Sequence, residues 1–447
     1  MDPVSIGFCA MVAVLVLLLL RVPIAFSLGI VATVGIFFIY AGGGDRPFNP
    51  DHAWRPTFSL LANSPYAFIN SYTLSTIPLF VFMGHLSYEA GFTTDIYKAA
   101  RLWLTRIPGG VAAASVVGCG GFSAITGSSV ACAAAMGRIA IPEMLRFGYS
   151  KSLASGSVAI GGTLGSLIPP SVLFILFGIF AEQSISKLFV AAVIPGLLSL
   201  AGYLLVIIIW AKLRPQDAPN PSEVVSSKAR WSALSRCWSM LAIFVVVIGG
   251  IYAGIFTPTE AAGVGAITTL ILGAVLGRLS IRSTYAALKE TAFQTSMIFV
   301  IAIGGKLFVN FIALTGVPSM ITEWISSAEI SFVWVMLAIC LMYIALGMFL
   351  DPIGIILLTL PVTLPIMDSY GMSLIWFGVI VIKLLEIGLV TPPVGLNVFV
   401  IKSIVGDKIA LETIFKGVTI FLLSDALVVA ALIGLPQLSL FLPGLMN

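Results

Sequence analysis

AIGGTLGSLIPPSVLF (159–174) and LEIGLVTPPVGLNVFV (385–400) decide how this chain folds. Each is an apolar run carrying a glycine and, four residues later, a proline pair. Pro169 and Pro170, like Pro392 and Pro393, remove backbone donors and disrupt a helical ladder. Each run therefore reads as a broken span, with carbonyls such as those near Gly161–Ile168 released for a ligand. The proline pairs lie 223 residues apart, and the same offset carries Pro142, Gly148, Ser150 and Gly165 onto Pro365, Gly371, Ser373 and Gly388. Pro352 and Pro361 have no partner, so the copy is imperfect. Paired Gly/Pro interruptions in corresponding places of an apolar chain point to a transporter's binding site.

Charged residues are 9% of the 447, hydrophobic residues 59%, and mean hydropathy is +1.10, which makes this a membrane chain. Full spans read at about 3–20, 24–40, 66–86, 151–180, 188–211, 238–256, 259–277, 291–314, 373–401 and 416–436. Two further apolar stretches, 108–137 and 331–365, have polar or Gly-rich midpoints, AITGSSVA (124–131) and GMFLDPIG (347–354), and read as re-entrant hairpins. The chain is thus expected to be an all-α polytopic membrane protein with two re-entrant hairpins and two broken transmembrane helices. Five crossings per half is an odd number, so the repeat is expected to be inverted.

Charge gives a second view of topology. With Arg21, 87–107, 138–151, 212–236, 278–290 and 402–416 on the cytoplasmic side, 18 Lys and Arg lie inside against three outside, Arg46, Arg55 and Lys187. Both termini then face outward. The Pro/Ser/Asn-rich start of 214–236 marks the linker between halves, and Met1–Leu20, without a basic leader or A-x-A site, reads as a retained first span. DIYKAARLWLTRI (95–107) and PSMITEWISSAE (318–329) read as interfacial arms. The five cysteines are scattered and His52 and His85 lie far apart, which argues against disulfides and transition-metal sites.

The Gly-Ser-Ser tip of the first hairpin offers carbonyls and hydroxyls, the oxygen shell that a hard cation such as Na+ takes. Thr391 and Asn397 add side-chain oxygens at the second break. Asp351, whose positional mate is Ser128, is a carboxylate in an apolar stretch and a functional candidate for that reason. Lys383 and Glu386 lie one helical turn apart, within reach of an ion pair, and Lys306 is expected to snorkel. No GxxxxGK[ST], GxSxG or HExxH occurs, so an ATPase or membrane hydrolase is not expected.

GSSVACAAAMGRIAIPEM, GGTLGSLIPPS, GIFTPTEAAGVGA (254–266), MFLDPIGIILLTLPVTLPIM (348–367) and LEIGLVTPPVGLNVFV together resemble the large, DctM-like membrane subunit of tripartite ATP-independent periplasmic (TRAP) transporters. The resemblance implies an ion-transporter-superfamily fold with a scaffold and an elevator-type transport domain. It also implies Na+ coupling, a periplasmic substrate-binding protein, a separate small four-span membrane subunit and a bacterial inner-membrane location. Carried over, the Na+ sites are Gly347, Gly388, Thr391 and Val394 in one half, and Ser123, Ala124, Gly165 and Ser171 in the other. Candidate substrate contacts are Thr126, Ser128, Ser129, Thr163, Asp351, Pro392 and Asn397. Scaffold is expected at 1–86, 181–310 (with the linker 212–236) and 405–447, and the transport domain at 87–180 and 311–404. The expected function is Na+-coupled import of an organic acid. The alternatives are a stand-alone carboxylate carrier or a proton-coupled antiporter without a binding protein, using Asp351 and Glu386, and a membrane enzyme or assembly factor acting on lipid-linked substrates.

Overall fold

The computed structural model describes residues 2–44, 47–219 and 226–446, and every regular element among them is helical. Arg46 and the middle of the linker, 220–225, lie outside the described residues. Six helices are individually long and apolar enough to cross a bilayer, or up to nine when each bent pair is taken as one span.

The order of elements recurs in the two halves. Pro3–Leu19 and Ile24–Gly42 open the first, and Trp238–Phe244, continued to Tyr252, and Pro258–Val275 open the second. The arms form helices Phe92–Leu104 and Val317–Ser327. Both apolar stretches with polar midpoints fold as helical hairpins, Gly110–Thr126 with Ser129–Arg146 and Phe332–Gly347 with Pro352–Ser369. The spans with proline pairs do break, into Lys151–Leu167 with Val172–Phe180, bent by 41°, and Leu374–Gly388 with Leu396–Val405. Ile185–Leu213 and Leu411–Gly434 close the halves.

Two expectations change. The span read at 66–86 is a helix Thr76–Glu89 behind a separate helix Asp51–Ile69, the two segments bent by 55°. That extra helix exposes Trp54, Phe58 and Tyr66, as an interfacial helix does. The span read at 291–314 begins ten residues earlier, in one helix Ile281–Thr315 capped by Ser280. At about 1.5 Å per residue it is about 52 Å long, so it tilts or projects beyond the roughly 30 Å hydrocarbon layer. A short helix, Gln437–Gly444, follows the last span.

Small residues set the packing. A side chain on Gly417 would strike Ser152 O, so Leu411–Gly434 lies backbone against backbone on Lys151–Leu167. Ile185–Leu213 packs on both first segments of the broken spans and on Leu411–Gly434. Pro3–Leu19, Ile24–Gly42 and the C-terminal part of Ile281–Thr315 share a separate apolar cluster around Leu28, Phe308 and Phe311. Ion pairs tie the first arm to the chain just after Pro258–Val275, Asp95 to Arg278, and to the first hairpin, Arg101 to Glu143 (3.3 Å).

Candidate functional site

Each break is stitched to its neighbouring hairpin. The Val172 amide donates to Gly127 O and the Gly395 amide to Met348 O, both at 3.4 Å, and 172 and 395 are related by the repeat offset. Gly165 leaves no room for a Cβ, which would lie 2.6 Å from Ser128 O, and a Cβ on Gly388 would lie 2.6 Å from the Cα of Gly347. At the tips, Gly127 has φ +60°, Ser128 caps the Ala131 amide and Asp351 caps the Ile353 amide at 3.0 Å. The peptide bonds Pro169–Pro170 and Pro392–Pro393 are cis.

These elements enclose a cavity of about 300 Å³. Ser129, Val172, Pro352 and Leu396 line it, and each is the first residue of a helix. Four helix N-termini therefore face one space, two from hairpins and two from broken spans, and their partial positive charges favour an anion. Ser128, Ser166, Asp351 and Leu389 complete the wall, with Gln294, Met297 and Ile301 opposite on the long helix. A second space of about 400 Å³ shares Ser128 and Gln294 with it and is lined by His85, Glu89, Thr126, Arg138 and Glu290. His85 and Gln294 are joined at 3.0 Å.

Of the candidate substrate contacts, Ser128, Ser129 and Asp351 reach the central cavity and Thr126 the adjoining one. Thr163 does not: it is buried and its hydroxyl meets Ile160 O (2.6 Å) and Tyr203 OH (3.1 Å). Pro392 is exposed outside the cavity. The Asn397 side chain is fully buried, and neither atom of its amide has a hydrogen-bond partner among the described residues.

For the candidate Na+ ligands, Gly347 and Gly388 touch, and Thr391 Oγ1 donates to Ile387 O at 2.6 Å, which leaves its lone pairs free. Val394 is exposed beside them. In the other set, Ser123 donates to Cys119 O at 2.6 Å, Ala124 lines an apolar groove, and Ser171 Oγ is buried without a partner among the described residues.

The expected Lys383–Glu386 pair does not form. Lys383 pairs with Asp425 and meets Tyr203 OH at 3.2 Å, and Tyr203 donates to the same Asp425 oxygen at 2.6 Å. Glu386 instead accepts from Ser129 Oγ at 2.6 Å, 2.8 Å from which stands Ser166 Oγ. One turn of helix rotates the two side chains toward different neighbours. Asp425 was open to the same reasoning that singles out Asp351, a carboxylate in the apolar run FLLSDALVVA. Ser166, Gln294 and Tyr203 carry no such local signal.

Asp351 is exposed at its tip and acts as a helix cap, so its role divides by substitution. Asp351→Asn is expected to leave thermal stability unchanged, and Asp351→Ala to lower it by about 1 kcal/mol through the lost cap. Equal losses from both, read by thermal unfolding of the purified protein, would show that charge and not capping holds the tip.

Broken helices and dead-end hairpins around a shared cavity, in a chain of apolar helices long enough to span a bilayer, are the architecture of a membrane transporter. The sequence profile described as "Tripartite ATP-independent periplasmic transporter, DctM component" matches residues 11–438, and the chain belongs to that family. It is 34% identical over 360 residues to the C4-dicarboxylate TRAP transporter large permease protein DctM of Pseudomonas aeruginosa, covering 80% of this chain and 82% of that one. It is 31% identical to the ectoine TRAP transporter large permease protein TeaC of Halomonas elongata, over 97% and 98% of the two chains. The isethionate TRAP transporter permease protein DctMQ of Oleidesulfovibrio alaskensis matches at 32% over 91% of this chain but only 61% of its own length. The YdaH transporter of Alcanivorax borkumensis shares the fold, with a TM-score of 0.63 at 13% identity over 94% of this chain and 99% of that one.

Proposed function

We propose that this chain carries out Na+-coupled import of an organic acid across a bacterial inner membrane, with both termini on the periplasmic side. The single observation that carries this reading is the cavity on which four helix N-termini converge. Positive helix ends suit an acid group, and the relatives named above transport C4-dicarboxylates, ectoine and isethionate. A small four-span membrane subunit and a periplasmic substrate-binding protein are its partners, the first fused in proteins such as DctMQ.

The halves form an inverted repeat, and the body that moves contains both hairpins and both broken spans. The closing helices Ile185–Leu213 and Leu411–Gly434, grouped with the frame from sequence, belong with this body, because they pack on the broken spans. Pro3–Leu19, Ile24–Gly42, Thr76–Glu89, Trp238–Tyr252, Pro258–Val275 and Ile281–Thr315 make the frame, and the arms connect the two. Na+ is co-transported at Gly347, Gly388, Thr391 and Val394 and at Ser123, Ala124, Gly165 and Ser171. The orphaned Ser171 hydroxyl and the free lone pairs of Thr391 suit such an ion. Coupling follows if only the fully loaded body crosses, because each ligand then stabilises the same arrangement.

Reconstitution of all three proteins in proteoliposomes tests this: uptake should require an inward Na+ gradient, and uptake that persists without Na+ rejects the coupling. Thr391→Ala should raise the Na+ concentration for half-maximal uptake about tenfold, the equivalent of about 1.4 kcal/mol. An unchanged Na+ dependence removes Thr391 from the site.

A further inference from the structure

Two carboxylates and one ammonium are buried together near the breaks: Asp425 and Glu386 against Lys383, with Glu386 and Lys383 each 1% exposed. Lys383 is taken by Asp425, and Tyr203 donates to the same oxygen. Among the described residues, Glu386 therefore has no cation in ion-pair contact. Its Oε2 receives one hydroxyl, from Ser129, while its Oε1 is buried with no hydrogen-bond partner among the described residues. A carboxylate held this way in an apolar medium carries a large desolvation cost that only a counter-charge offsets.

The surroundings fit a particular counter-charge. Ser129 and Ser166 are 2% and 4% exposed; with the Ser129 proton on Glu386, Ser166 donates to Ser129 Oγ, which leaves one lone pair on Ser129 and both on Ser166 for an ion. Two hydroxyl oxygens with a carboxylate are hard donors, which suit Na+ and not a thiophilic or imidazole-seeking metal. Both serines also line the central cavity, which gives an ion a way in. We propose that Glu386, Ser129 and Ser166 form a further Na+ site. Unlike the two sites within the halves, this one joins them: Glu386 stands on the second broken span, Ser166 on the first, and Ser129 at the first hairpin tip. An ion held here fastens that tip to the opposite half, so the body crosses as one unit. The inference rests on the Na+-coupled reading above.

Two readouts on the purified membrane complex test it. The first is the rise in melting temperature when choline is replaced by Na+ at constant ionic strength, which needs no transport. The second is the Na+ dependence of uptake in proteoliposomes. Glu386→Gln should lose a large part of the Na+-induced shift and lower the Hill coefficient for Na+ by about one. Ser166→Ala, which removes one oxygen and leaves the carboxylate, should raise the half-saturating Na+ several-fold and decides the matter if Glu386→Gln does not fold. Wild-type Na+ responses in both variants overturn the inference and leave the other two sites standing. A Glu386→Gln effect that follows pH with the Na+ response intact assigns the position to a proton and also overturns it. A wild type with neither a Na+ shift nor Na+-dependent uptake rejects the coupling reading itself.

Discussion

Replacing Lys383 with methionine should destabilise the protein by about 3–5 kcal/mol, the usual result of leaving one buried charge without its partner. Lys383 and Asp425 are each 1% exposed in their side chains, and the ion pair joins the second broken span to the last closing helix. Removing the ammonium leaves the Asp425 carboxylate with only the Tyr203 hydroxyl on one oxygen; the other has no partner among the described residues even in the native protein. Asp425→Leu should be comparably damaging, because an ammonium then keeps only Tyr203 OH as an acceptor. The double variant Lys383→Met/Asp425→Leu should recover most of the loss, since apolar groups of similar volume often replace a buried pair at no cost. Thermal unfolding of the four proteins in detergent measures this cycle. Single variants as stable as the wild type would show that the pair is not a buried couple in the working protein.

The parts legible in sequence are those fixed by local backbone chemistry. Pro169–Pro170 and Pro392–Pro393 end a helix wherever they stand, and the offset of 223 residues doubled that signal, so both breaks, both hairpins and both arms fell near their expected places. Ser128 and Asp351, paired by offset alone, turn out to cap equivalent helices. What was not legible depends on which helix lies against which. Lys383 and Glu386 are neighbours by spacing, yet their partners stand 42 residues ahead, at Asp425, and far behind, at Ser129. Thr163 was a candidate substrate contact only through the family resemblance, and packing turns it to Tyr203 instead. The closing helices look like any other apolar span; their packing on the broken spans shows only in contacts between distant residues, such as Gly417 on Ser152, Lys383 with Asp425 and Thr163 with Tyr203. Helix Asp51–Ile69 holds Asp51, His52, Arg55, Asn63 and two prolines, Pro56 and Pro65, so it lacks the sustained apolar run that marks the spans.

Adding one methyl group to Gly388 should all but abolish transport. A Cβ there would lie 2.6 Å from Gly347 Cα and 2.8 Å from its carbonyl carbon, both backbone atoms that no rotamer change can clear. Contact near 3.5–4.0 Å needs the hairpin to retreat by about 1 Å, and overpacking of this kind costs about 1–3 kcal/mol. That displacement acts on the carbonyls that the Na+ reading assigns as ligands, so Gly388→Ala should lower uptake at a fixed Na+ concentration at least about tenfold, each tenfold being about 1.4 kcal/mol. Gly165→Ala should behave alike in the other half, where the new carbon would meet Ser128 O at 2.6 Å and Ser129 Cα at 2.7 Å. Gly263 supplies the contrast. It lies within helix Pro258–Val275, and the nearest atom to its added carbon is a Leu79 methyl at 3.9 Å. There the same substitution should keep transport and stabilise the protein by up to about 1 kcal/mol through helix propensity. Opposite outcomes from one methyl group separate close backbone approach from a general intolerance of glycine replacement. Normal Na+-driven uptake by Gly388→Ala would mean that the second hairpin does not need to lie against its break.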